Sequence, residues 1–410
     1  MSMKKSVNEV VVIGGGAAGM LAAITAAQNG KSVLLLEKND RLGKKLAITG
    51  KGRCNVTNNS DIDEVLKNIP RNGRFLYSCL HGFPPQSTME FFEANGCPLK
   101  TERGNRVFPI SDRALDIIEA LERAMQRVGV RRRRETAAEI LTKGGAVAAV
   151  KTEDGLISAE SVILCTGGLS YPATGSTGDG YRMAQRLGHT ILPPSGSLVP
   201  LESDDPVCAK MQGLSLRNTA LKLLDSRGKI VHEEFGELLF THFGVSGPMV
   251  LSASAHLKEG ERYTLSLDLK PALDEEKLDA RFLRDLTAYA NRSMENALSD
   301  LYPHSMIPVL LERCGIDPTM RANSLTRPQR RELLSQTKAF TIPISGARPV
   351  SEAIITRGGV CVREVDPKTM RSKLVDGLYF AGEILDCDAY TGGFNLQIAW
   401  ATAHAAGCAV

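Results

Sequence analysis

The chain has 410 residues, 43% hydrophobic and 23% charged, with a formal net charge of +4. This is globular composition, and so mild a charge does not by itself argue for nucleic acid or a membrane surface as partner. The length exceeds one average domain, which predicts two or three, one of them inserted. The nine cysteines have no C-x-x-C pair; they predict reduced thiols in a cytoplasmic protein and exclude a zinc ribbon or a dithiol redox centre.

The first residues carry a short basic region before an apolar run that stops at glycines. No cleavage site follows, so the start reads as a strand entering a turn and not as a signal peptide. No apolar run reaches transmembrane length. Residues 9–14, EVVVIG, are a short β-branched run typical of a strand buried on both faces. A helix-forming stretch follows and closes at Asn29-Gly30. Residues 32–37, SVLLLE, form a second buried strand, completing a βαβ unit with a right-handed crossover.

The first turn of that unit reads Gly14-Gly15-Gly16-Ala17-Ala18-Gly19, which fits G-x-G-x-x-G. Gly14 permits the tight turn, Gly16 lets a diphosphate approach the backbone, and Gly19 lets the helix pack on the strand. Glu37 ends the second strand 37 − 19 = 18 residues after the last glycine. A carboxylate there accepts hydrogen bonds from a ribose. Residues 44–58, KKLAITGKGRCNVTN, crowd cations and glycines into a loop suited to an anion. They lack the G-x-x-x-x-G-K-[ST] spacing of a P-loop.

Residues 61–134 look mainly helical and structural. Ser87 to Glu90 fits a capping box. Ser111 or Asp112 caps a further helix with Leu115, Ile118 and Leu121 on one stripe and Gly129 as its stop. Residues 130–135, VRRRRE, are the densest basic run. Nucleic acid requires a wider patch with stacking aromatics, so this run reads as a solvated strand near an adenosine pocket, and no nucleic-acid partner is expected. Residues 191–349 alternate in the manner of hairpins, as in 219–234. They then turn helical over 278–299 and 306–314. This predicts an inserted, β-rich substrate or cap domain at 191–349, with a helical subdomain at about 275–335. The dinucleotide domain is then discontinuous, 1–190 and 350–410. No metal constellation or nucleophile motif appears.

Residues 161–168, SVILCTGG, and 377–407, beginning GLYFAGE, add two more short buried strands ending in glycine. Flavoprotein Rossmann folds resemble this arrangement, and three separated pieces suit a ligand as long as FAD. Gly14 to Gly19, Glu37-Lys38, LAITGKGRCNVTN, the segments 171–189 and 236–248, TRGGV (356–360) and GLYFAGEILDCDAYTGGFNLQ (377–397) follow in order along nearly the whole chain. Together they resemble the bacterial BaiN-like, or HI0933-like, flavoproteins. One departure is Ala389-Tyr390, where the family pattern has a glycine.

The resemblance implies a glutathione-reductase-like FAD-binding α/β Rossmann fold with an inserted domain. It places Gly14, Gly16, Ala17, Ala18, Gly19, Met20, Glu37 and Lys38 along the adenosine diphosphate half of FAD. The loop after the second strand wraps the cofactor through Lys45, Leu46, Thr49, Gly50, Arg53, Cys54, Asn55 and Val56, with Lys45 and Arg53 offering charge to the diphosphate. The backbone at Ala138 meets adenine. Gly167, Gly382, Glu383, Gly393, Asn395, Leu396 and Gln397 surround the remainder. Cys54 reads more readily as packing than as a redox thiol.

The family includes NAD(P)H-dependent reductases of C=C bonds conjugated to a ketone in 3-oxo bile acids. It also includes an oxidase of small amines such as aminoacetone. The first is favoured, which places the protein in bile-acid, steroid or lipid metabolism; the second, and a flavin-binding module without turnover, are alternatives. The sequence has no second complete dinucleotide fingerprint, so NADH or NADPH would visit the same pocket. No catalytic residue is assigned. Tyr171, Tyr390 and the N–H groups near Gly392-Gly393 are the donors within flavin-proximal motifs that could protonate an enolate. The partner is a small-molecule substrate, with no membrane insertion.

Overall fold

A computed structural model describes residues 8–258 and 260–410. The basic start read against a signal peptide lies mostly outside the described residues. The chain divides into two compact units, one ending at Ser197 and resuming at Val350, the other Leu198–Pro349.

The first unit is built on a parallel sheet. Strand β1 (Asn8–Ile13) leads through the turn into helix α1 (Ala17–Gln28) and back to β2 (Val33–Glu37). Both strands are almost wholly buried, as their continuous apolar runs require. Arg131–Arg134 pairs parallel with β2 on one side. On the other side of β1 lies Gly155–Leu164, followed by Leu378–Phe380, again parallel. Gly155–Leu164 also closes an antiparallel meander with Ala137–Lys143 and Ala146–Thr152. The C-terminal helix Phe394–Ala409 is apolar nearly all round and packs along α1 in the core.

The division between units falls after Ser197 and not after residue 190. Ile191–Ser197 pairs antiparallel with Ile355–Val360, which holds it in the first unit. Two helix expectations also shift. The helix expected to open at a Ser87 capping box spans Pro85–Ala94, because Pro85 occupies the first turn, where its fixed φ and missing N–H are tolerated. The next helix, Ala114–Arg127, begins after Arg113, and Leu115 is half exposed; Ala114, Ile117, Ile118 and Leu121 form the buried stripe instead.

The second unit holds a seven-stranded sheet in which Ser215–Asp225 and Ile230–Thr241 form the expected hairpin, flanked by Tyr263–Asp268 and Phe340–Ile344. The helix expected over 278–299 breaks into Glu275–Ala288 and Met294–Ala297. Arg327–Lys338, unforeseen, is opened by a capping box between Thr326 and Gln329. Leu278, Phe282, Leu310 and Leu333 belong to this unit's own core.

Candidate cofactor site

The C-terminal ends of the parallel strands open onto a cleft lined entirely by the first unit. This is where ligands bind in open α/β sheets. The glycine turn forms one wall. Gly14 has φ of +105°, and a Cβ there would lie 2.5 Å from the Cys165 carbonyl oxygen; a Cβ at Gly19 would lie 1.8 Å from the Gly14 carbonyl oxygen. The turn therefore admits side chains at neither position. At Gly16 a Cβ would meet nothing within 4 Å, so its bare backbone faces open space at the N-terminus of α1. The first N–H groups of that helix have no intrahelical partner and favour an anion.

Glu37 is buried beside this turn. Its carboxylate accepts from the Gly15 N–H at 2.7 Å, the Asn39 N–H at 2.8 Å and the Asn39 amide at 2.7 Å. Lys38 pairs with Asp179 at 2.5 Å and donates to Thr177 at 2.7 Å. Lys38 and Arg182, together with the Thr177 hydroxyl, hold the Asp179 carboxyl below its usual range despite burial, which is the largest single influence and acts the other way. Further along, Lys45 donates to Glu383 at 2.5 Å and to Ser170 at 2.6 Å. Glu383 also accepts from the Ser170 hydroxyl and the Thr356 N–H, each at 2.9 Å. Thr356 in turn accepts from the N–H groups of Leu169 and Ser170. The TRGGV segment thus fixes the chain that leaves the strand Gly155–Leu164.

Of the residues singled out from sequence, Gly14, Gly16, Ala17, Ala18, Glu37, Lys38, Lys45, Leu46, Thr49, Gly167, Gly382, Glu383, Asn395 and Leu396 line the cleft. Gly19, Met20, Gly50, Arg53, Cys54, Asn55, Val56, Ala138, Gly393 and Gln397 do not. Met20 is core, and Ala137 lines the cleft in place of Ala138. The Arg53 guanidinium, expected to offer charge to the diphosphate, pairs with Glu102 and Asp112 and lies 4.1 Å from the centre of the Phe108 ring. Gln397 is a buried tie, accepting from Thr57 and Thr88 and donating to the Phe83 carbonyl.

The Gly50-Lys51 turn is left-handed, and the N–H groups of Arg53 and Cys54 return to Gly50 and Thr49. Cys54 is buried, and burial pushes its thiol up to about 12, which suits packing and not thiolate chemistry. Ala389 and Tyr390 have no positive φ, so their positions need no glycine. Asn395 instead holds that loop through the Ala389 N–H and carbonyl. Neither Tyr171 nor Tyr390 lines the cleft. Residues the sequence did not single out do: Gly15, Asn39, Glu135, Thr166 and Asp179 among them.

The donor set fits a dinucleotide. A bare helix N-terminus opens onto the cleft and suits a diphosphate, a carboxylate stands at the end of β2, and two buried polar atoms of cleft residues, Thr166 Oγ1 and Glu135 Oε2, have no protein partner. The fold and cleft are those of a Rossmann-type flavoprotein. The family model for the HI0933-like protein Rossmann domain matches residues 8–409, and the chain belongs to that family.

The chain is 32% identical to a 3-dehydro-bile acid delta(4,6)-reductase of Clostridium scindens over 98% of both chains. It is 29% identical to a ribosomal RNA dihydrouridine synthase of Escherichia coli, over 97% of this chain and 96% of that one. Its fold is similar to 3-ketosteroid delta1-dehydrogenase from Sterolibacterium denitrificans, with a TM-score of 0.54, 14% identity, and coverage of 98% of this chain and 99% of that one. The protein is an FAD-dependent oxidoreductase. Among the described residues no helix is long and apolar enough to cross a membrane.

Proposed function

We propose that the protein reduces carbon–carbon double bonds conjugated to a carbonyl. One observation carries this reading: full-length relatives are named for the same chemistry on different substrates. A 3-dehydro-bile acid with double bonds at 4 and 6 has its alkene conjugated to the C3 ketone. Uridine becomes dihydrouridine by saturation of the C5=C6 bond conjugated to its C4 carbonyl.

Bound FAD supplies the hydride chemistry. The N-terminus of α1 would hold the diphosphate, and Glu37, which holds the glycine turn through the Gly15 N–H, would offer its carboxylate to the ribose. Lys45 and Glu383 fix the loop and the turn on either side of the cleft. NADH or NADPH is the electron donor in this reading and shares the cleft. The favoured substrate is a 3-oxo bile-acid or steroid-like enone, on the strength of 32% identity along the whole chain.

A second substrate, uridine in RNA, is favoured by a separate feature: Arg131–Arg134 lies exposed along its whole length. Arginine contacts to phosphates supply the sequence-independent part of RNA affinity. Purified holoprotein with NAD(P)H under anaerobic conditions should add two hydrogens to a 3-oxo-Δ4,6 bile acid, read by mass spectrometry. Hydrogenation of unmodified ribosomal RNA alone would transfer the assignment to uridine. Peroxide formed from aminoacetone, or no turnover at all, would contradict both in favour of the amine oxidase or the flavin-binding module.

A further inference from the structure

Glu135 follows the strand Arg131–Arg134, whose Arg134 lies opposite Glu37 in register. The Glu135 N–H donates to the Glu37 carbonyl at 3.1 Å. Two carboxylates therefore stand on adjacent strands at the C-terminal edge of the sheet, at one end of the cleft. Their surroundings differ. Glu37 already accepts three hydrogen bonds, close to the roughly four a carboxylate can take. Glu135 Oε1 receives one long contact, 3.4 Å from Arg133. Glu135 Oε2 is buried and has no partner, although the side chain is only 9% exposed and lines the cleft.

A buried carboxylate oxygen without a donor is costly unless a ligand supplies one. On FAD that donor is a neutral N–H or O–H group, since the phosphates are anionic acceptors. Strand order identifies it. Moving outward from β1 the sheet presents the glycine turn, then Glu37 at the end of β2, then Glu135 after the edge strand. A dinucleotide laid across these ends places diphosphate, ribose and base in the same order.

We propose that Glu135 accepts a hydrogen bond from the exocyclic amine of the adenine of FAD and so selects adenine over an oxo-purine. This rests on the FAD reading of the cleft. Glu135 is then a specificity-determining residue, with Thr136 and Ala137 beside it forming the same end of the cleft.

The test uses full-length protein stripped of flavin and titrated, by flavin fluorescence, with FAD and with flavin hypoxanthine dinucleotide, whose base carries a carbonyl in place of the amine. Wild type should bind FAD about tenfold more tightly or better, the scale of one charge-assisted hydrogen bond. Glu135→Gln, whose amide can both accept and donate, should shrink or reverse that preference with the apoprotein melting temperature unchanged. Glu135→Ala should weaken FAD about tenfold and abolish the preference. Equal binding of the two dinucleotides by wild type overturns the assignment, as does FAD affinity unaltered in Glu135→Ala. Weakened FAD in Glu135→Ala without discrimination in wild type would put the carboxylate on a ribose hydroxyl, which also overturns it. Uptake of neither dinucleotide would instead contradict FAD binding itself.

Discussion

The Lys45 ammonium lies 2.5 Å from the Glu383 carboxylate, joining the loop after β2 to the turn after the strand Leu378–Phe380. Their side chains are 21% and 12% exposed, so water screens the pair only in part. Ser170 and the Thr356 N–H complete the Glu383 shell, and four separate segments of the chain meet there.

Replacing Lys45 with Met removes the charged partner and leaves Glu383 half-satisfied. Stability should fall by about 1–3 kcal/mol, less than for a fully buried pair, and FAD should be released more readily. Denaturant unfolding and FAD retention on gel filtration measure the two effects. Wild-type values for both would show that the pair holds nothing in place.

Glu37→Ala should lower FAD affinity by about 1.5–3 kcal/mol, or ten- to a hundredfold. The loss has two sources, the ribose acceptor and the Gly15 N–H that Glu37 holds at 2.7 Å. Glu37→Gln keeps an acceptor for Gly15 and should lose less. Titration of apoprotein with FAD decides; equal affinities in wild type and Glu37→Ala would place the carboxylate outside cofactor binding.

Arg53→Ala should leave FAD affinity within about twofold of wild type, because its guanidinium is engaged with Glu102, Asp112 and the Phe108 ring. A tenfold loss of FAD affinity would restore the diphosphate role that the motif suggested.

Arg53 and Gln397 show where reading by motif stops. The βαβ unit was legible because buried strands, a glycine turn and a terminal acid are local patterns, and Gly14, Gly16 and Glu37 all line the cleft. The partners of Arg53 lie 49 and 59 residues away. Those of Gln397 lie more than 300 residues away. Nothing near either residue in sequence says which face it presents. Glu135 was hidden for a related reason: an acid ending a run of four arginines reads as surface, and its burial comes from the cleft that distant segments build. At Pro85 two local signals competed, and proline at the first turn prevailed over the capping box at Ser87.

His189 should make stability fall on mild acidification. It is 2% exposed, and burial holds its pKa below the usual value of 6.5 although Glu364 acts in the opposite direction. Ser372 Oγ accepts from the N–H groups of Leu374 and Val375, so its hydroxyl donates to His189 Nε2, which must then be unprotonated. The unfolded chain takes up this proton near pH 6.5, the folded one only at lower pH. The contribution is therefore complete above about pH 6.5 and is lost as pH drops toward the folded value. Urea unfolding at about pH 7.5 and 5.5 should show a smaller drop in His189→Gln than in wild type. An identical drop in both would assign the slope to other groups.

The central claim, flavin-mediated reduction of a conjugated double bond, is tested most directly by anaerobic stopped-flow spectroscopy of the yellow holoprotein. NADH or NADPH should bleach the flavin absorbance, and mixing the bleached protein with a 3-oxo-Δ4,6 bile acid should restore it with matching loss of the substrate's conjugated absorbance. Flavin that stays bleached with both the enone and unmodified ribosomal RNA, yet recovers on admission of oxygen, would contradict the account.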